Sequence, residues 1–129
     1  MPNRRPLVAI VDDDPSIRAA THNLLDAAGF ATASYDSPQA FLQSPMRGRT
    51  SCLVVDFRMP GMTGLALYLQ LLAAGDTIPT VLVTAYQDDA VRDEARRVGI
   101  SCYLGKPFAP EELCECVRKA IASRATPSS

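Results

Sequence analysis

The sequence has almost no excess of charge of either sign, because 13 lysine and arginine residues are balanced by 14 acidic residues, for a formal net charge of −1. Nucleic-acid-binding domains usually carry a strong positive field, so we do not expect this chain by itself to bind DNA. Long apolar runs are also lacking. The first one, residues 7–11, is too short for a signal-peptide core or a membrane span, which predicts a cytoplasmic protein without membrane contact.

None of the cysteines has the spacing of a zinc site. Cys114 and Cys116 lie two residues apart on a predicted helix, so their side chains point away from each other and cannot easily share an ion. All four, Cys52, Cys102, Cys114 and Cys116, lie in or beside apolar runs, where free thiols pack as small hydrophobic groups. A chain of 129 residues buries roughly 68% of its unfolded surface, so we expect free thiols and no need of a cross-link.

Five segments are predicted to be β-strands. Leu7–Val11, Cys52–Val55 and Thr80–Val83 are rich in β-branched residues and fit buried central strands. Ala31–Tyr35 alternates small and polar residues and Cys102–Leu104 is very short, so both fit the edges of a sheet.

Helical segments separate and follow these strands. Asp14 can cap the first helix, with Pro15 at its first position and Gly29 as its end. Ser37-Pro38 opens a short second helix. The other three are marked by apolar stripes and end signals, at residues 65–75, 91–99 and 110–121.

Strand and helix alternate throughout, which predicts right-handed crossovers and a doubly wound parallel sheet with helices on both faces. The edge assignments favour the strand order 2-1-3-4-5. Such sheets bind ligands outside the carboxyl ends of the strands, where the winding reverses between strands 1 and 3. The expected domain spans residues 6–123, and residues 124–129 are expected to form a tail or the start of a linker.

Charged or hydroxyl-bearing residues follow every predicted strand but the second: Asp12, Asp13 and Asp14 after strand 1, Asp56 after strand 3, Thr84 after strand 4 and Lys106 after strand 5. Neighbouring strands lie about 4.8 Å apart, so Asp12, Asp13 and Asp56 should share one pocket. A pair of carboxylates about 4 Å apart repels by roughly 4 kcal/mol at an effective dielectric near 20, against a total stability of about 5 to 15 kcal/mol. A purely structural acidic cluster would therefore be costly.

A divalent cation and a lysine can offset this repulsion. Mg²⁺ suits the site best, because it accepts one or two carboxylates and completes its octahedron with water and phosphate oxygens, and Mn²⁺ is an alternative ion. Lys106 can reach in from the last strand. An aspartate there could act as a nucleophile in phosphoryl transfer, with the Thr84 hydroxyl as a further hydrogen-bond donor.

Four motifs in this order resemble the receiver domains of bacterial response regulators, over about residues 6–123. They are Val11-Asp12-Asp13-Asp14-Pro15, Val55-Asp56-Phe57-Arg58-Met59-Pro60-Gly61-Met62, Val83-Thr84-Ala85 and Lys106-Pro107-Phe108. Each motif alone is weak, but four in sequence, each at the end of a predicted strand, are specific. The resemblance implies a flavodoxin-like fold and a signalling domain of a two-component system rather than an enzyme with turnover.

The resemblance also implies a role for each matching residue. Asp56 would accept phosphate from a histidine kinase or phosphotransfer protein. Asp13, Asp56 and the backbone carbonyl of Arg58 would coordinate Mg²⁺, with Asp12 acting through water. Thr84 and Lys106 would bind the phosphoryl group. The family often has a cis peptide bond before the proline that follows the lysine, here Lys106-Pro107.

A conformational switch is implied as well. Tyr103 matches the aromatic residue that turns inward once Thr84 moves toward the phosphate, which would change the face formed by helix 4, strand 5 and helix 5. The downstream partner that recognises this face could be a separate effector or an output domain of the same protein. The segment around Asp56 is similar to receivers that precede DNA-binding domains, which keeps the second alternative open. Phosphorylation-dependent homodimers are a further expectation.

Several of these residues also have plain structural interpretations. Asp14 fits a helix cap better than a ligand. His22, the only histidine, fits a solvated or partly buried helix position better than a phosphate carrier. Tyr103 could simply pack as an aromatic residue of an edge strand. Gly61 and Gly64 most simply permit the turn after strand 3.

Arg58 and Tyr86 are predicted to tune the reaction, because each lies two residues after a site residue, Asp56 and Thr84, and both are bulky. We expect them to hinder the attacking water and slow dephosphorylation. The nature of Arg58 also argues against the main rival, a hydrolase with an aspartate nucleophile, which needs a general acid at that position. A second rival is a pseudo-receiver or flavodoxin-like interaction module that keeps the fold without being phosphorylated. The presence of all five groups that such a protein would normally have lost in part argues against it: Asp12, Asp13, Asp56, Thr84 and Lys106.

Overall fold

Strands and helices alternate from the first to the last element of the computed structural model, which describes residues 5–125. The elements in chain order are β1 Leu7–Val11, α1 Pro15–Ala27, β2 Ala31–Tyr35, α2 Pro38–Leu42, β3 Cys52–Asp56, α3 Gly64–Ala73, β4 Thr80–Thr84, α4 Asp89–Val98, β5 Cys102–Gly105 and α5 Pro110–Ala125. All ten correspond to predicted elements. A short 3-10 turn at Arg47–Arg49, between α2 and β3, was not predicted.

The sheet is parallel throughout and has the order β2-β1-β3-β4-β5, as the edge assignments predicted. The last residues of β3 and β4 still belong to the ladder, since Asp56 pairs with Val83 and Thr84 with Gly105. The predicted strands ended one residue earlier. The side chains of Asp56 and Thr84 are therefore attached to backbone that the sheet holds in place.

Helix ends follow the local signals in the sequence. The Asp14 carboxylate accepts hydrogen bonds from the backbone N–H groups of Ser16 and Ile17 and caps α1, as predicted. Gly99 ends α4 with φ = 101°, a left-handed conformation that favours glycine. These caps fix where each helix meets the sheet.

The core has one layer on each face of the sheet. Val8, Ile10, Val54 and Val81 pack on one face against the apolar sides of α1 and α5. The alternate residues of the same strands pack on the other face against α2, α3 and α4, among them Val11, Val55 and Leu82. Helices therefore cover both faces, and the carboxyl ends of the strands are left for the site.

Cys102 and Cys116 form a disulfide, so the expectation that all four cysteines are free thiols was wrong for this pair. Cys102 lies on β5 with its side chain in the core layer beneath α5, and Cys116 lies on the buried side of α5. Their Cα atoms are 5.9 Å apart, within the range that a disulfide spans. Comparing neighbours along a helix could not detect this contact, because it arises from packing of a strand on a helix. Cys52 and Cys114 are free and buried, as expected.

Helix α5 includes residues 124 and 125, which had been expected to begin the tail, and residues 126–129 of that segment lie outside the described residues. Over residues 5–125, no helix combines the length and apolarity that a bilayer crossing requires.

Candidate functional site

Three carboxylates meet at the carboxyl ends of β1 and β3. Asp56 is the last residue of β3, and Asp12 and Asp13 directly follow β1, its neighbour in the sheet. One oxygen atom from each carboxylate can be chosen so that all lie within 4.8 Å of one another. Asp12 and Asp56 are only 5% and 9% exposed, whereas Asp13 is exposed. The strand order therefore produces the shared pocket that the sequence predicted.

Lys106 reaches this pocket from the far side of β4. Its Nζ lies 2.9 Å from Asp56 Oδ1 and 3.4 Å from Asp12 Oδ2. The backbone N–H of Lys106 donates to the Thr84 carbonyl, which ties the lysine to the end of β4. The Lys106–Pro107 peptide bond is cis, as the resemblance implied. The side chain is 17% exposed, so the ammonium group faces the carboxylates rather than bulk water.

The pKa shifts of Asp56 and Lys106 indicate that the positive charge of Lys106 does not fully compensate the negative charge of the carboxylates. Burial is the largest single influence on the pKa of Asp56 and raises it. The hydrogen bond and charge of Lys106 lower this pKa, the charges of Asp12 and Asp13 raise it, and the net shift is upward from the ordinary value. Burial by itself would lower the pKa of Lys106, but the hydrogen bond to Asp56 and the charges of Asp12 and Asp56 outweigh it, so that pKa is raised. Asp56 thus lies where a second cation would be favourable.

The first turn of α1 holds Asp12 in place. The backbone N–H of Asp14 donates to Asp12 Oδ1 at 2.9 Å, and the Arg18 guanidinium donates to the Asp12 backbone carbonyl at 2.7 Å. Arg18 was not among the site residues predicted from the sequence. Its position one helical turn after the Asp14 cap offered a weak signal, because that turn begins beside the end of β1.

Gly64 allows α3 to begin directly against the end of β3. A Cβ atom at this position would lie 2.5 Å from the Asp56 carbonyl oxygen and 2.9 Å from a Leu82 methyl group. Gly64 was expected to permit the turn after strand 3; its φ angle is not positive, and the position requires glycine because α3 approaches β3 closely. Gly61 does have a turn conformation with positive φ, at 84°.

Arg58 and Tyr86 meet above the carboxylates. The Arg58 Cζ atom lies 4.5 Å from the centroid of the Tyr86 ring, which is the geometry of a cation–π contact. Both residues line a cavity of about 160 Å³ that the aspartates open into; its other lining residues are Asp12, Asp13, Asp14, Ile17, Asp56, Ala85 and Lys106. The two residues predicted to tune the reaction thus contact each other at the entrance of the site.

Thr84 and Tyr103 do not line this cavity. Thr84 is buried, and its hydroxyl accepts a hydrogen bond from the Tyr86 N–H and lies 3.1 Å from the Tyr86 carbonyl, to which it donates. The Tyr103 hydroxyl accepts a hydrogen bond from the backbone N–H of Asp88, the residue that caps α4. Both residues therefore contact the segment that joins β4 to α4.

His22 has the structural role that was expected. Its Nδ1 atom lies 2.7 Å from the Thr32 hydroxyl, a contact between α1 and β2 on a partly buried surface. It does not line the cavity above the carboxylates.

The acidic group fits a hard divalent cation. Asp12, Asp13 and Asp56 provide only oxygen ligands, and Lys106 contacts Asp12 and Asp56 but not Asp13 among the ion pairs of residues 5–125. Mg²⁺ prefers such oxygen donors and tolerates few carboxylates because it keeps several waters. The exposed carboxylate of Asp13 is the one best placed to meet a hydrated ion.

Residues 8–118 match the response regulator receiver domain family. The chain belongs to this family. It is 33% identical over 114 residues to the transcriptional regulatory protein FixJ of Bradyrhizobium diazoefficiens and 34% identical over 119 residues to the C4-dicarboxylate transport transcriptional regulatory protein DctD of Rhizobium meliloti. These alignments cover 88% and 92% of this chain, but 56% and 26% of the relatives. The receiver thus spans little more than half, or less, of the curated relatives it matches.

The solved structure of the response regulator StyR superposes with a TM-score of 0.86 at 38% identity, covering 94% of this chain and 61% of that one. The flavodoxin-like fold and the membership of a two-component signalling family are therefore shown. The family is one of signalling domains, which removes the hydrolase with an aspartate nucleophile as the main rival.

Proposed function

We propose that this receiver domain accepts a phosphoryl group on Asp56, in the presence of Mg²⁺, from a sensor histidine kinase or a phosphotransfer protein. The observation that carries the proposal is the contact of Lys106 with Asp56 at 2.9 Å within the acidic group. A nucleophilic carboxylate, a cation beside it and further acidic ligands are what transfer to aspartate requires.

In the transfer step a carboxylate oxygen of Asp56 attacks the phosphorus of a phosphohistidine. A P–O bond forms as the P–N bond breaks, and the imidazole leaves with the electron pair and takes up a proton. Negative charge on the equatorial oxygens would be stabilised by the Lys106 ammonium group. No proton has to be removed from Asp56, because it reacts as a carboxylate.

Asp13, Asp56 and the backbone carbonyl of Arg58 would hold Mg²⁺, or Mn²⁺ in its place, with Asp12 acting through water. When bound, the ion neutralises charge on the carboxylates and on the incoming phosphoryl oxygens. Lys106 already compensates Asp12 and Asp56, whereas Asp13 faces solvent, which supports Asp13 as a direct ligand.

The hydroxyl of Thr84 would donate to the phosphoryl group and thereby give up its donation to the Tyr86 carbonyl. The segment after β4 leads from Tyr86 to Asp88, whose N–H donates to the Tyr103 hydroxyl. Movement of Thr84 would therefore loosen the anchor of Tyr103 and alter the face formed by α4, β5 and α5.

The partners follow from the same proposal. The phosphodonor is a histidine kinase or phosphotransfer protein, and the recipient of the signal is an effector or an output domain. Two of the relatives are named as transcriptional regulators and are longer than this chain, which supports an output domain that acts on transcription. A phosphorylation-dependent homodimer and a cytoplasmic location belong to the proposal as well.

The test is incubation of the protein with Mg²⁺ and a small phosphodonor such as acetyl phosphate, followed by intact mass measurement. Wild type should gain the mass of one phosphoryl group, and Asp56→Asn should not. Asp14→Asn is the matched control, because Asp14 lines the same cavity while asparagine caps α1 equally well.

A wild type that stays unmodified, with or without Mg²⁺, would overturn the proposal and favour the pseudo-receiver. Phosphorylation of Asp56→Asn at the wild-type rate would assign the acceptor to another residue. Size-exclusion chromatography with and without beryllofluoride, a phosphoryl mimic, then tests the homodimer.

A further inference from the structure

The disulfide between Cys102 and Cys116 joins two of the three elements of the proposed output face. Cys102 is the first residue of β5, and Cys116 lies in the second turn of α5, with a sequence separation of 14. The bond closes a loop that contains Tyr103, the aromatic residue of the proposed switch, and Lys106, the lysine of the proposed phosphoryl site. No step proposed above uses the two cysteines.

Cys102 and Tyr103 are adjacent on β5, and their side chains lie on opposite faces of the sheet. The Cys102 side chain belongs to the core layer beneath α5, and the Tyr103 ring packs with the layer beneath α4. A bond from Cys102 to α5 therefore fixes the strand on one face while the tyrosine contacts the α4 cap on the other.

The remaining thiols differ from this pair in position. Cys52 is fully buried and Cys114 is 9% exposed, and both are free. Cys102 is half-buried and so is the more exposed residue of the bonded pair, whose other member, Cys116, is 8% exposed. Exchange with a small thiol or disulfide would therefore begin at Cys102.

We infer that Cys102 and Cys116 form a reversible redox pair, and that their disulfide restrains β5 against α5 and so changes the affinity of the phosphoryl site. Disulfides of proteins in reducing compartments are usually transient or redox-sensing rather than structural. The effect on the phosphoryl site rests on the proposed function, and the reducing compartment rests on the proposed cytoplasmic location; the thiol–disulfide exchange itself, which the titration below measures, requires neither.

The oxidant is a low-molecular-weight disulfide such as oxidised glutathione. The Cys102 thiolate attacks one of its sulfurs, a mixed disulfide forms and one glutathione thiolate leaves. The Cys116 thiolate then attacks the Cys102 sulfur, the protein disulfide forms and the second glutathione thiolate leaves. Two protein thiols are oxidised, one external disulfide is reduced, and the thiol protons pass through solvent to the glutathione thiolates.

The redox test equilibrates the folded protein in glutathione buffers of graded ratio, blocks thiols by alkylation and counts them by mass. Wild type and Cys114→Ser should each lose two reactive thiols together as the buffer becomes oxidising. Cys102→Ser and Cys116→Ser should not. A pair that stays bonded in every buffer until the protein unfolds, or that never bonds, would overturn the inference.

The coupling test measures beryllofluoride binding with Mg²⁺ by calorimetry, for wild type held oxidised and held reduced. The two affinities should differ by roughly fivefold or more, the lower end of usual allosteric coupling, and by linkage beryllofluoride should shift the glutathione titration by the same factor. The Cys102→Ser/Cys116→Ser double variant should match reduced wild type.

Equal affinities in the two redox states would overturn the coupling. Absence of beryllofluoride binding in both states would instead overturn the proposed function, and the thiol titration would still decide whether the pair is redox-active. Because wild type is compared with itself, the result does not depend on the folding of a variant.

Discussion

The Arg58 guanidinium lies over the ring of Tyr86, with its Cζ atom 4.5 Å from the ring centroid. Both side chains line the same cavity as Asp56, and Tyr86 is 65% exposed. If Asp56 is phosphorylated as proposed, the water that hydrolyses the phosphoryl group would approach through this cavity. We expect the contact to hold both bulky side chains across that approach and so to hinder the water.

Removal of either member of this pair should speed the loss of phosphate from Asp56. A cation–π contact at an exposed site is worth about 0.5 to 1 kcal/mol, so we expect Arg58→Ala and Tyr86→Ala each to raise the dephosphorylation rate by about two- to fivefold. Tyr86→Phe keeps the ring and should behave like wild type. The measurement is the decay of the phosphorylated mass after removal of the phosphodonor, and hydrolysis no faster in the alanine variants would disprove the role of the pair.

Asp13→Asn should weaken Mg²⁺ binding and at the same time stabilise the metal-free domain. The substitution removes one of three carboxylates whose oxygens lie within 4.8 Å of one another, and it breaks no ion pair of the described residues. Relief of repulsion at this exposed position should add about 1 kcal/mol to the unfolding free energy in the absence of metal. Urea unfolding with and without Mg²⁺ measures both effects.

Asp14→Asn is the control for this prediction, because it also removes an acidic group from the cavity but keeps the cap of α1. Its Mg²⁺ affinity should stay within about twofold of wild type, since Asp14 is not among the proposed ligands. Metal-free Asp13→Asn that is less stable than wild type would show that the carboxylates are already compensated by Lys106 and its surroundings.

The positions of the site residues could be predicted because they depend on strand ends. Once the apolar runs and their order were assigned, parallel pairing brought Asp12 and Asp56 together and directed Lys106 toward them. The family resemblance supplied roles that spacing alone does not contain. The parallel pairing of the strands thus determines which residues share the acidic pocket.

Contacts between layers could not be predicted in this way. The disulfide between Cys102 and Cys116 depends on how α5 packs on β5, and the donation from Arg18 to the Asp12 carbonyl depends on the direction in which α1 leaves the sheet. Neither distance follows from hydrophobic period or capping signals. The contact of Arg58 with Tyr86 likewise joins two loops that are 28 residues apart in the chain.

Gly64→Ala should destabilise the domain and displace Asp56. The added methyl group would lie 2.5 Å from the Asp56 carbonyl oxygen and 2.9 Å from a Leu82 methyl group, so α3 would have to move away from β3. Overpacking of this kind costs about 1 to 3 kcal/mol. Gly48→Ala is the control, because a Cβ there meets nothing within 4 Å and the φ angle is not positive.

Thermal or urea unfolding should therefore separate the two glycine variants. Gly48→Ala should be neutral or slightly stabilising, because alanine reduces the freedom of the unfolded chain. If Gly64→Ala were as stable as Gly48→Ala and were phosphorylated at the wild-type rate, close approach of α3 to Asp56 would not be a constraint.

Cys52 should be unreactive in the folded protein and should make stability fall at alkaline pH. Burial raises the pKa of its thiol to about 12, from an ordinary 9.0. Because the folded-state pKa is the higher one, the stability that this thiol contributes is complete below pH 9 and is lost as pH rises toward 12. At pH 8 its thiolate fraction, and with it the alkylation rate, should be about a thousandfold below that of an ordinary thiol.

Cys52→Ala removes this titration while leaving all other titratable groups, so the unfolding free energy of the variant should fall less steeply than that of wild type between pH 9 and pH 11. Equal slopes for the two proteins, or rapid native alkylation of Cys52, would show that the thiol is not sealed from solvent.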